Sequence, residues 1–81
     1  MTRERALQII EGTKTNHAQS QGILLGLQIL AKYDEELDCS FEHDQMWVSD
    51  FEATVKRMSK DEVIGMARLG WFEADDRWSH W

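Results

Sequence analysis

A chain of 81 residues holds one domain, 1–81, with a thin core, because a chain this short buries only roughly 60–65% of its unfolded surface. Its 42% hydrophobic content places it among folding chains rather than disordered ones, and its one cysteine, Cys39, excludes an internal disulfide and fits a reducing cytoplasm. A net charge of −6 disfavours direct binding to nucleic acid or to an anionic membrane.

Thr2 is a cap for a first helix over 3–11, in which Ala6, Leu7 and Ile10 share a face and Gly12 supplies the C′ stop. The opening MTRERALQII has neither a long apolar run nor a small-residue cleavage site, so no signal peptide is expected. Asn16 and Gln19 form a capping box for a second helix over 17–33. Its densest stretch, GILLGLQILA, is too short to span a bilayer. Apolar residues nonetheless leave that helix only a polar stripe along Gln21, Gln28 and Lys32, which predicts a central core helix or, alternatively, a subunit interface. Gly22 and Gly26, four apart, flatten one side for the close approach of another backbone.

DEELD, residues 34–38, is an acidic exit loop. Leu37, Cys39 and Phe41 then alternate with Asp38, Ser40 and Glu42, the period of a half-buried strand. Beyond it the parity changes, which predicts a reversal at 43–45 and a hairpin of 38–43 with 45–49. Met46 and Val48 face inward in that hairpin, and Trp47 stands on the opposite face. SDFE, residues 49–52, is a capping box for a short helix over 50–57 carrying Phe51 and Val55, with Met58 just beyond. SKDE, residues 59–62, is a second box, opening a helix through Val63, Met66 and Ala67 to Leu69 that Gly70 closes. WFE and RWSHW make a second hairpin about a turn at 74–76, with Trp71 and Trp78 as core aromatics. The fold class is α+β: two N-terminal helices, an antiparallel sheet of two hairpins, and one or two intervening helices, with the long helix packed on the sheet.

The second half also carries a pattern. Leu69, Gly70, Trp71, Phe72, Asp75, Asp76, Trp78 and Trp81, with His43, Asp44, Met46, Trp47 and Val48 upstream, resemble a group of small phage and prophage proteins of unassigned function. Those proteins read "LGW(F/H)…(D/E)…W…F", often after "HD-x-(I/M)-(W/Y)-V". The resemblance spans Cys39 to Trp81 and departs at Trp81, where phenylalanine is usual. It implies an α+β fold and a phage or mobile-element origin, and it brings no catalytic residue.

Sharper chemistries find little support. Cys39 and His43 on one strand lie about 13 Å apart, too far for one zinc, with His17 and His80 the remaining candidate ligands and no CxxC or HExxH present. His43–Asp44 beside Glu42 has no neighbouring nucleophile, and Ser79–His80 is only a dipeptide. Lys56, Arg57, Lys60 and Arg68 form a small basic cluster among acids. No enzyme activity, metal or cofactor is therefore expected.

What stands out is acid. Residues 34–81 carry 13 acids against five bases, whereas residues 1–33 carry four bases against two acids. Asp34, Glu35, Glu36, Asp38, Glu42 and Asp44 form one group and Glu73, Asp75 and Asp76 another, with Trp47 and Trp81 as aromatic anchors. The expected function is a non-enzymatic protein-binding module of the host cytoplasm. It would inhibit a host defence or nucleic-acid-handling complex by occupying a basic groove, and is similar to anti-CRISPR proteins in size, acidity and lack of catalytic motif. The alternative is a structural or regulatory phage homo-oligomer, such as a homodimer, that uses helix 17–33 as its interface.

Overall fold

The computed structural model describes residues 1–15 and 19–81. Its elements run α1 (Arg3–Gly12), α2 (Gln19–Ala31), β1 (Cys39–Glu42), β2 (Gln45–Val48), α3 (Phe51–Val55), α4 (Lys60–Arg68), β3 (Phe72–Ala74) and β4 (Arg77–His80). The strands form one antiparallel sheet in the order β1-β2-β4-β3, so two hairpins meet along β2 and β4. The fold is α+β with two N-terminal helices.

Local chemistry explains most of these boundaries. Thr2 accepts the Arg5 amide and starts α1. Ser59 and Glu62 exchange both bonds of a capping box at the start of α4. At its end the Gly70 amide bonds the Ala67 carbonyl and the Trp71 amide the Met66 carbonyl, with Gly70 at φ 91°. That pair is a Schellman closure, which needs a residue free to adopt left-handed geometry. The hairpins turn tightly: Glu42 pairs with Gln45 across His43–Asp44, and Ala74 with Arg77 across Asp75–Asp76. Asp75 and Asp76 both have positive φ, the signature of a type I′ turn matched to strand twist.

Two sequence-based boundaries shift. Gly12 is not a left-handed stop; α1 runs through it, Thr13 ends the helix, and the Thr13 hydroxyl donates to the Ile9 carbonyl at 2.7 Å. The cap of α3 is Asp50, not Ser49, and the helix runs 51–55 rather than 50–57. Ser49 instead sits at φ 56° and donates to the Asp34 carboxylate. The Asn16 capping box, His17 and Ala18 lie outside the described residues.

Met46 and Val48 pair with His80 and Trp78, and all four are buried. Over this face lie Phe51, Val55, Val63, Met66 and Leu30. Phe51 packs on Trp78 at 4.7 Å between ring centres. The Trp78 indole N–H donates to the buried Thr54 hydroxyl at 2.9 Å.

The expectation of a central α2 is corrected. Gly22, Gly26 and Leu30 face inward, whereas Leu24 and Leu25 are 58% and 40% exposed. With strands of three or four residues the sheet is too small to surround the helix. The two glycines let α2 lie against the α4 exit, where the Trp71 indole N–H donates to the Gly22 carbonyl at 2.8 Å. A Cβ at Gly22 would fall 2.2 Å from the Leu69 carbonyl oxygen.

The half-buried reading of β1 is corrected too. Cys39 and Phe41 do share the face of Val48 and Met46, their cross-strand partners. All four β1 residues are nevertheless exposed, Phe41 to 72%. The buried layer stops at β2.

Candidate binding surface

The acidic residues separate into structural and solvent-facing sets. Asp34 accepts the Ser49 hydroxyl at 2.6 Å and the Asp38 amide at 3.1 Å. The Ser49 hydrogen bond holds its carboxyl below the usual carboxylate range, against a partial burial that opposes ionisation. Glu73 accepts the Asp76 amide at 2.8 Å and meets Arg3 at 3.4 Å, and Arg3 also reaches Asp76 at 3.5 Å. Asp38 pairs with Arg77 at 3.4 Å. These four acids are engaged by partners within the fold. Glu35, Glu36, Asp44 and Asp75 are exposed, and none of them forms an ion pair among the described residues. Glu42 is exposed as well, with only the His43 ring at 3.9 Å.

The face of the sheet opposite the core carries Ser40, Glu42, Trp47 and Ser79, set by the pairing of Ser40 with Trp47 and of Trp47 with Ser79. Ser79 is fully buried there; its hydroxyl donates to the Met46 carbonyl and accepts from Gln45. A hollow of about 250 Å³ on this face is lined by Ser40, Glu42, Trp47, Asp75 and Arg77, all strand or turn residues. It brings together Glu42 of the first acidic group and Asp75 of the second. Trp47 is half-buried, and its indole N–H, buried, has no acceptor among the described residues.

Arg77 is the organising residue. Its guanidinium donates to the Ser49 carbonyl at 3.1 Å, the Ser40 hydroxyl at 3.0 Å and the Asp38 carbonyl at 2.8 Å. It thereby clasps β1 from β4, across β2. The sequence reading missed it, although a lone base within EADDRWSHW is the signal that marks it.

Trp81 is 61% exposed, packs on Phe72 with ring centres 5.9 Å apart, and does not line the Trp47 hollow. A second hollow, of about 180 Å³, lies between Ile23, Phe41, Met46 and Trp81, with Asp44 on its rim.

The catalytic candidates do not assemble. His43 is solvent-facing. Ser79 and His80 point to opposite faces of β4, and the His80 ring nitrogens lie 2.8 and 2.9 Å from the Trp81 and Leu69 carbonyl oxygens. Desolvation pushes the Cys39 thiol up, and Asp38 and Asp34 add to it against the pull of Arg77, which leaves the sulfur a poor nucleophile. Among the described residues no group of three or more His, Cys, Asp or Glu could hold a metal ion. Nor is any helix there long and apolar enough to cross a membrane. In the basic cluster, Arg57 is spent on the Tyr33 carbonyl and ring and Lys56 meets Glu52 at 3.8 Å.

No protein-family model, curated protein or solved structure matches the chain.

Proposed function

We propose that the chain is a non-enzymatic binding module whose acidic sheet face receives a basic surface of a partner protein. The observation that carries this reading is the hollow that Glu42 and Asp75, neither paired with Lys or Arg among the described residues, line together with Trp47. A partner lysine or arginine set there gains two carboxylates and an aromatic face, and a cation over such a ring is worth about 0.5–2 kcal/mol. Arg77 is already committed to Asp38, so Glu42 and Asp75 set the local charge. In its narrowest form the partner is a defence or nucleic-acid-handling complex of a phage host, in whose basic groove the acidic groups would sit. The net charge of −6 supports that form.

A lysine-rich peptide titrated against the protein tests the reading by Trp fluorescence. Binding should weaken with added salt, and the double change Glu42→Gln, Asp75→Asn should lower affinity roughly tenfold, about 1.4 kcal/mol. Equal affinity in the double variant sinks the proposal.

A second reading, a homo-oligomer built on α2, is favoured by the exposure of Leu24 and Leu25. Light scattering decides it. A monomer at all concentrations removes it, and an oligomer dispersed by Leu24→Lys supports it.

A further inference from the structure

The two edges of the sheet are treated differently. At β3 the edge is three residues long, Arg3 and the Asp76 amide hold the Glu73 side chain, and Trp81 packs on Phe72. At β1, Arg77 holds Ser40 and the Asp38 carbonyl from the sheet side, and all four strand residues stay exposed. The Ser49 amide donates to the Asp38 carbonyl at 2.8 Å, which fixes the alternation of the β1–β2 ladder. Asp38, Ser40 and Glu42 direct their backbone groups at β2, so Cys39 and Phe41 turn their N–H and C=O groups outward. Such a row of unpaired groups is a template for another strand.

The side chains select which strand. On the core-side face Phe41, 72% exposed, borders the hollow with Ile23 and Met46, an apolar seat beyond the end of the molecule's own core. On the other face Glu42 borders the Trp47 hollow. Glu42 and Asp44, neither paired with Lys or Arg among the described residues, set like charges against a second copy of this chain, and the same charges complement a basic strand.

We propose that β1 takes up an extended segment of a partner protein as a fifth, antiparallel strand, and that this segment alternates apolar with basic residues. The proposal rests on the basic-partner reading above and gives it a mode. Apolar side chains of the segment lie beside Cys39 and Phe41, and on the other face a basic one lies beside Glu42, the position beside Ser40 being next to Arg77. Residues directly opposite one another share a face. The backbone groups that bond β1 therefore belong to the apolar residues of the segment, and those of the basic residues point away.

The probe is a capped six-residue peptide alternating lysine with valine or phenylalanine, made also with N-methyl groups on either set. Added to the full chain, the parent should slow hydrogen exchange at the Cys39 and Phe41 amides. Methylation of the apolar residues should weaken binding about tenfold or more, and methylation of the lysines less than about twofold. Equal effects of the two methylations, with salt-sensitive binding retained, overturn strand addition and leave the acidic-face reading standing. A parent peptide without binding up to about 1 mM overturns both. Protection of Phe41 that rises with protein concentration and no peptide overturns the proposal in favour of a second copy. All of these measurements use the unsubstituted protein, so misfolding of a variant does not confuse them.

Discussion

The Trp71 ring fills the place where a side chain at Gly26 would begin: a Cβ there would lie 1.9 Å from the indole nitrogen. Helix propensity alone favours alanine over glycine by about 1 kcal/mol, but overpacking of a fixed core typically costs about 1–3 kcal/mol. Gly26→Ala should therefore destabilise, net, by on the order of 1 kcal/mol. Gly65 in α4 has nothing within 4 Å of its Cβ direction, and Gly65→Ala should stabilise by roughly 0.5–1 kcal/mol. Urea midpoints of the two variants should move in opposite directions.

Thr54 is a buried relay. Its hydroxyl accepts the Trp78 indole N–H and shares its one proton between the Asp50 and Phe51 carbonyls. Thr54→Val keeps the shape and leaves the indole donor without an acceptor, so a loss of about 1–3 kcal/mol is expected. Thr54→Ser, which keeps the hydroxyl, should lose less. A valine variant as stable as the parent would show that the relay contributes nothing.

Glu62 gives the fold an acid limit. Burial disfavours its ionised form, but the Tyr33 hydroxyl, the Ser59 amide and Lys32 outweigh it and hold the carboxyl at about 2, against an ordinary 4.5. A depressed folded-state value contributes stability that is fully present above about 4.5 and is lost as pH falls towards about 2. The contribution is on the order of 2 kcal/mol after allowance for partial exposure. Denaturation of the parent and of Glu62→Gln at stepped pH should show a stability gap that is constant at neutral pH and closes across that interval. A gap unchanged down to about pH 2 would remove Glu62 from the account.

Arg77→Lys should unclasp β1 without unfolding the rest. A lysine cannot reproduce three directed donations to Ser49, Ser40 and Asp38. The expected loss is about 1–2 kcal/mol, and hydrogen exchange should quicken at Ser40 and Glu42 while the Trp78 amide keeps its protection. Uniform acceleration through the sheet would show that the clasp stabilises the whole fold instead.

Features decided within a few residues were legible in the sequence. SKDE predicts the start of α4 and Gly70 its end, and the parity change after Glu42 predicts the first hairpin. SDFE misled by one position because Ser49 has a stronger engagement with Asp34, fifteen residues away, and Asp50 takes the cap. Alternation placed Phe41 on the correct face but not under cover, since alternation says which way a side chain points and not how far the opposite layer extends. The candidate surface was legible in composition alone. That Asp34, Asp38, Glu73 and Asp76 are structural, and that Glu42 and Asp75 share one hollow with Trp47, depends on partners far apart in sequence.

The arrangement of the sheet bears on how the chain reaches it. Each hairpin closes over a two-residue turn, an event of about 1–10 µs, whereas the central pairing joins Val48 to Trp78 and Met46 to His80 across α3 and α4. Such distant pairings slow folding, so the hairpins are expected to form before the β2–β4 pairing that joins them. Until then β2 and β4 are edges as well as β1 and β3, and each newly made chain carries four open strand edges instead of two. The thirteen acids that follow Tyr33 then act before any native surface exists, as mutual repulsion that keeps half-folded copies from stacking strand on strand.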